Sequence, residues 1–182
     1  MRACLVDTGP LVAYLDARDP NHGVVAAWLD GFTGQLLTTS AVITEAMHFV
    51  AASREGPELL AELVDLTATR VHDCTQPAQL RMAVALMKKY ADTPMDFADA
   101  SLVLLAGRTG ALDILTLDRR GFSIYRAIKG KAFRMVLPLE APGAGPGRGG
   151  DRDPEPGPAG GETLSDRAGQ TTDSWSPDRP GR

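Results

Sequence analysis

Two short apolar runs in this chain each end abruptly in a carboxylate. Residues 2–6 lead into Asp7, and Ile114-Leu115-Thr116-Leu117 leads into Asp118. Runs this short suit strands buried on both faces rather than helices. Between them lie longer stretches with helical spacing of apolar residues, bounded by caps and Pro or Gly. After residues 2–6, Thr8 offers a helix N-cap with Pro10 in the first turn, and Leu11, Tyr14 and Leu15 supply an apolar stripe. A second helix is expected after Pro20, to about Asp30, with Val24, Ala27 and Trp28 on one face and Gly31 as its stop. Residues 35–38 read as a strand, and Ser40 as the cap of a helix carrying Ile43, Met47 and Val50. Pro57 opens a helix with a stripe of Leu59, Leu60, Leu63 and Leu66, and 69–73 reads as a strand. Pro77 starts a long helix to about Tyr90, and a further helix spans 96–108. The last strands are expected at 113–116 and 132–136. Alternation of this kind predicts a three-layer α/β/α fold, a central, mostly parallel sheet flanked by helices. In such sheets, sites form beyond the carboxyl ends of the strands.

Composition divides the chain. Of the 42 residues in 141–182, 17 are Gly or Pro, and Leu164 and Trp175 are the only large apolar side chains. Such a segment has too little apolar surface to offset its ordering entropy, so a disordered tail is expected there and a single domain over 1–140. The net charge of −4 does not mark a strongly basic nucleic-acid binder. The first apolar run breaks at Asp7, too early for a signal peptide, and no apolar run is long enough to span a membrane. Cys4 and Cys74 show no zinc or CxxC spacing and are expected as buried thiols. A soluble cytoplasmic protein without membrane contact is therefore expected.

Further observations concern chemistry. Asp7 and Asp118 follow predicted strands. Glu45 projects from a largely apolar helical stretch. Asp96 and Asp99 open a helix on one face, three residues apart. Each has an ordinary explanation as a cap or a surface acid. Gathered on one rim, they would repel one another unless a hard cation such as Mg²⁺ or Mn²⁺ lay among them. Asp96 is the better cap and Asp99, one turn in, the better ligand. Thr8 and Thr116 stand beside the acids and are candidates to support the site or touch substrate. Residues 119–134 hold six bases, Arg119, Arg120, Arg126, Lys129, Lys131 and Arg134, and no acid, with Phe122, Tyr125 and Phe133 interleaved. That pattern suits either a phosphate-contacting rim with stacking aromatics or a solvated basic face over core aromatics. Trp28, Phe32, Leu59 and Leu63 are open between core and a partner surface. The three histidines are scattered, and neither a phosphate-binding glycine loop nor a nucleophile triad is present.

At these residues the chain resembles the PIN domain family, and within it the VapC-type toxins. The matching pieces are Val6-Asp7-Thr8-Gly9-Pro10-Leu11-Val12-Ala13, Thr44-Glu45-Ala46, Asp96-Phe97-Ala98-Asp99-Ala100-Ser101-Leu102 and Leu115-Thr116-Leu117-Asp118-Arg119-Arg120-Gly121-Phe122, in that order across about 1–137. The resemblance implies a parallel sheet flanked by helices and a Mg²⁺- or Mn²⁺-dependent endoribonuclease. It implies Asp7, Glu45, Asp99 and Asp118 as catalytic acids, with Asp7, Asp99, Asp118 and the additional Asp96 as metal ligands. Thr8, Thr116, Arg119 and Arg120 are then expected near the substrate. It also implies tRNA or ribosomal RNA as substrate, a VapB-type antitoxin as partner, and a possible homodimer. The competing readings are a housekeeping PIN ribonuclease and a PIN domain that binds RNA or protein without catalysis.

Overall fold

The computed structural model describes residues 2–138. The expectation for 141–182 lies outside them. Five strands form one sheet: β1 (Ala3–Val6), β2 (Gln35–Thr39), β3 (Arg70–His72), β4 (Asp113–Leu115) and β5 (Arg134–Met135). Their order is β3-β2-β1-β4-β5 and every pairing is parallel. Leu5 pairs with Leu37 on one side and Ile114 on the other. Cys4, Leu5, Val6, Ile114 and Leu115 are fully buried, so both faces of the central strands are covered. The seven helices described are α1 (Thr8–Leu15), α2 (His22–Gly31), α3 (Ser40–Val50), α4 (Gly56–Leu66), α5 (Pro77–Lys89), α6 (Phe97–Thr109) and α7 (Arg119–Ile124). The α/β/α architecture is the one expected.

Strand order reverses between β1 and β4. A crevice at such a switch point opens beyond the carboxyl ends of both strands. Asp7 follows β1 there, and its backbone N–H bonds to the Leu115 carbonyl at 3.0 Å, carrying the β1–β4 ladder one residue further.

Local chemistry moves several boundaries. The cap of α1 is Asp7 rather than Thr8: Asp7 is extended (φ −92°, ψ 168°) and its carboxylate accepts the Thr8 N–H. Thr39, not Ser40, caps α3, its hydroxyl accepting the Val42 N–H. The second helix begins at His22 because the Asp19 carboxylate accepts both the backbone and side-chain N–H of Asn21 and holds a turn there. Its buried face is Val25, Ala26 and Leu29, while Val24 and Ala27 are exposed. An unbroken apolar run from Val24 to Leu29 had left that phase undetermined. On α4, Leu60 and Leu63 are core and Leu66 is half exposed, so the stripe ends a turn early and Leu63 is not partner surface. Helix α6 ends at Gly110, whose φ of +76° suits a residue without Cβ.

The aromatics of 119–134 are core. Phe122, Tyr125 and Phe133 are buried, and Phe122 meets both other rings edge-to-face with centroids 5.4 Å apart. They therefore offer no stacking surface to a nucleic acid. Two of the six bases there are also engaged. Arg126 donates to the carbonyls of Ser123, Ile124 and Tyr125 at the end of α7, and Arg134 pairs with Asp113 at the start of β4. Cys4 and Cys74 are free and buried.

Candidate functional site

The five acids singled out in the sequence are placed by four separate parts of the chain. Asp7 leaves β1 and caps α1. Glu45 lies midway along α3, beside its buried stripe of Val42, Ala46 and Val50. Asp96 caps α6, and Asp99 is one turn in. Asp118 follows β4 and caps α7. All five line one cleft of about 490 Å³ at the carboxyl edge of the sheet, with Thr8, Gly9, Val12, Asp19, Phe49 and Leu117.

Hydroxyls hold these carboxylates apart and in register. Thr116 donates to Asp7 Oδ2 at 2.7 Å and accepts the Asp118 N–H at 2.9 Å. One buried side chain therefore fixes the first acid and the turn that presents the last. Asp7 Oδ1 accepts the Thr8 N–H at 2.8 Å, and the Thr8 hydroxyl donates to Glu45 Oε2 at 2.5 Å. Both hydroxyls thus donate to carboxylates of the site, and Thr8 itself lines the cleft. Asp118 Oδ1 accepts the Gly121 N–H at 3.0 Å, as a cap should. Asp96 and Asp99 form a reciprocal capping box: Asp96 Oδ1 accepts the Asp99 N–H at 2.9 Å, and Asp99 Oδ2 the Asp96 N–H at 3.3 Å. The box leaves Asp99 Oδ1 to the cleft.

Behind these residues, α3 and α6 are tied together. Ser101 donates its only hydroxyl proton to the Ala98 carbonyl, so in its 2.6 Å contact with Thr39 it accepts and Thr39 donates. This buried pair couples the helix of Glu45 to the helix of Asp99.

Burial and mutual repulsion show in the titration of the acids. Burial, partly offset by the bonds from Thr116 and Thr8, pushes Asp7 up to about 6. Asp99 rises to about 8, through burial first and then the charges of Asp96 and Asp7. Asp99 is the less buried of the two and yet shifts further. The reason is that Asp7 accepts two good hydrogen bonds, whereas Asp99 accepts one long one beside a neighbouring acid. Carboxyls shifted this far by burial and by one another, in a cleft, mark a candidate functional site.

The residues fit a hydrated divalent cation. The cleft is oxygen-lined, and Mg²⁺ characteristically keeps several waters while taking one or two carboxylates. Among the described residues no group of three ligating side chains is close enough to enclose an ion directly.

Arg119 and Arg120 open α7 beside Asp118, and neither lines the cleft. Two contributors were not singled out in the sequence. Gly121 leaves no room for a Cβ, which would collide with Asp118 Oδ2 and lie 2.7 Å from the Tyr125 ring. Phe49 stands 44 % exposed in the cleft wall. The spacing of Phe49 four residues after Glu45 was the available signal, but an apolar helix hides it.

By architecture this is a PIN-like α/β/α protein with an acidic cleft at the switch point of its sheet. The chain is 36 % identical over 135 residues to Ribonuclease VapC26 of Mycobacterium tuberculosis, covering 72 % of this chain and 98 % of that protein. The crystal structure of M. tuberculosis VapC20, a sarcin-ricin loop cleaving toxin, superposes with a TM-score of 0.59 at 18 % identity, over 64 % of this chain and 91 % of that one. No protein-family model matches the chain. The chain belongs to the VapC-type PIN-domain ribonucleases.

Proposed function

We propose that this protein is a divalent-metal-dependent endoribonuclease, the toxin of a toxin–antitoxin pair, acting through the acidic cleft. Membership of the VapC ribonucleases supports the RNA-cleaving class. The observation that carries the site assignment is the convergence of Asp7, Glu45, Asp96, Asp99 and Asp118, from four separate parts of the chain, on one cleft. In this reading Asp7, Asp99 and Asp118, with Asp96 beside them, hold Mg²⁺ or Mn²⁺. A cation held there would supply a water acidic enough to act as nucleophile near neutral pH and would neutralise charge on the phosphate. Glu45, held by Thr8, orients or deprotonates the attacking water. Thr116 holds Asp7 in position. Arg119 and Arg120, outside the cleft, contact flanking phosphates.

Structured RNA of the tRNA or ribosomal type is the proposed substrate, and a VapB-type antitoxin the proposed partner. The test is cleavage of total tRNA and ribosomal RNA by the purified chain with Mg²⁺ or Mn²⁺, against EDTA, Asp7→Asn and Asp99→Asn. Discrete fragments that require metal and both acids support the reading. A variant that melts like the native protein should lose at least 100-fold in rate, the scale for removing an electrostatic group. Cleavage at the native rate by either variant removes the site assignment.

A further inference from the structure

Acids are not the whole lining of the cleft. Phe49, Val12 and Leu117 also line it, and Phe49 is 44 % exposed. An exposed phenylalanine costs solvation that α3 could avoid, since its own core stripe is supplied by Val42, Ala46 and Val50. Phe49 lies one helical turn beyond Glu45, so their Cβ atoms are about 5–6 Å apart on one face. A single nucleotide divides in the same way, with an anionic phosphate at one end and an apolar, flat base at the other. The other aromatics near this rim, Phe122 and Tyr125, are closed into the core. His48 meets the Phe49 ring edge-on, with centroids 5.8 Å apart and planes at 61°.

We propose that Phe49 is a substrate-binding residue that stacks on an unpaired base next to the scissile phosphate. Bases in a continuous duplex are stacked on their neighbours and cannot lie on a protein ring, whereas loops and bulges can present theirs. This inference rests on the ribonuclease reading above and names a substrate contact in the same cleft.

The test uses the full chain and RNA hairpins spanning the cut mapped in total tRNA or ribosomal RNA. Phe49→Ala, Phe49→Leu and Phe49→Trp are compared by kcat/KM, each on the native hairpin and on hairpins made abasic at either nucleotide flanking the cut. The expected result is a loss of about 10-fold for Phe49→Ala, the scale for one base–aromatic stack. Phe49→Trp should restore the rate and Phe49→Leu should not. One abasic position should cost the native protein a similar factor and cost Phe49→Ala nothing more. Equal rates for native and Phe49→Ala proteins overturn the proposal, as does rescue by leucine equal to that by tryptophan, which would mean packing alone. It is also overturned if Phe49→Ala cleaves normally but escapes inhibition by a co-expressed antitoxin, which would make Phe49 a partner contact. No cleavage of any RNA by the native chain removes the ribonuclease reading together with this one, whereas normal cleavage indifferent to Phe49 removes this one alone.

Discussion

Thr116 shows how much of the site depends on one hydroxyl. It donates to Asp7 and accepts from the Asp118 backbone, so losing it leaves a buried carboxylate short of a bond and frees the turn of the last acid. Thr116→Val keeps the shape and removes the hydroxyl. Cleavage should fall about 10- to 100-fold, the range for partners that orient a metal ligand, and Thr116→Ser should recover most of it. Rates measured at saturating metal decide this, and an unimpaired valine variant would remove Thr116 from the site. The acids themselves make the metal-free protein sensitive to pH. Asp7 and Asp99 titrate near 6 and 8 in the fold against an ordinary 3.8, so the folded chain binds protons that the unfolded chain has released. Stability is then greatest below about pH 4 for these two groups and falls as pH rises through about 6 and 8. In EDTA the melting temperature should drop between pH 5.5 and 8.5. Added Mg²⁺ or Mn²⁺ should raise it more at pH 8.5 than at 5.5, because a bound cation needs ionised carboxylates. A metal response that does not grow with pH would count against these acids as ligands.

At the scale of elements, α7 carries a constraint that its six residues hide. Gly121 donates its N–H to the Asp118 carboxylate and lies against Tyr125, with no space for a methyl group. Gly121→Ala should destabilise the fold by about 1–3 kcal/mol through overpacking and displace Asp118. Thermal melting reports the first effect, and cleavage at a temperature where the variant is folded reports the second. A variant indistinguishable from the native protein in both would mean the helix yields without cost. This element was not expected from the sequence, because six residues around a glycine are too few for a helical period to register. Strands β1, β2 and β4 were legible, being short apolar runs with sharp ends. The caps of α1 and α3 each fell one residue earlier than expected for a shared reason. Asp7-Thr8 and Thr39-Ser40 both offer two capping side chains in succession, and only the tertiary partners decide which is used. Thr8 is drawn to Glu45, and Ser40 lies 3.3 Å from the Cys74 sulfur.

At the scale of the whole molecule, the acidic rim was readable and the packing of residues 119–134 was not. Parallel strands put Asp7 and Asp118 at one edge by topology alone, and the order of acids along the chain pointed to the family. The division of labour within residues 119–134 could not be read. Burial of Phe122, Tyr125 and Phe133 depends on packing between α7 and the rest of the fold, and charge composition carries no record of that. The same packing bears on residues 141–182. Val136 still bonds to Ile114 across the sheet at 3.0 Å, and Leu137 is the last core side chain of the described residues. Among the described residues the core runs from the first strand to Leu137. We propose that a chain ending at Glu140 folds as the full chain does, with a melting temperature within about 2 °C, since a domain of this size shifts a few degrees for each kcal/mol. Cleavage of the same RNA at the same position should persist. A drop of 5 °C or more on truncation would show that residues beyond 140 stabilise the domain and would move its boundary into the segment now set outside it.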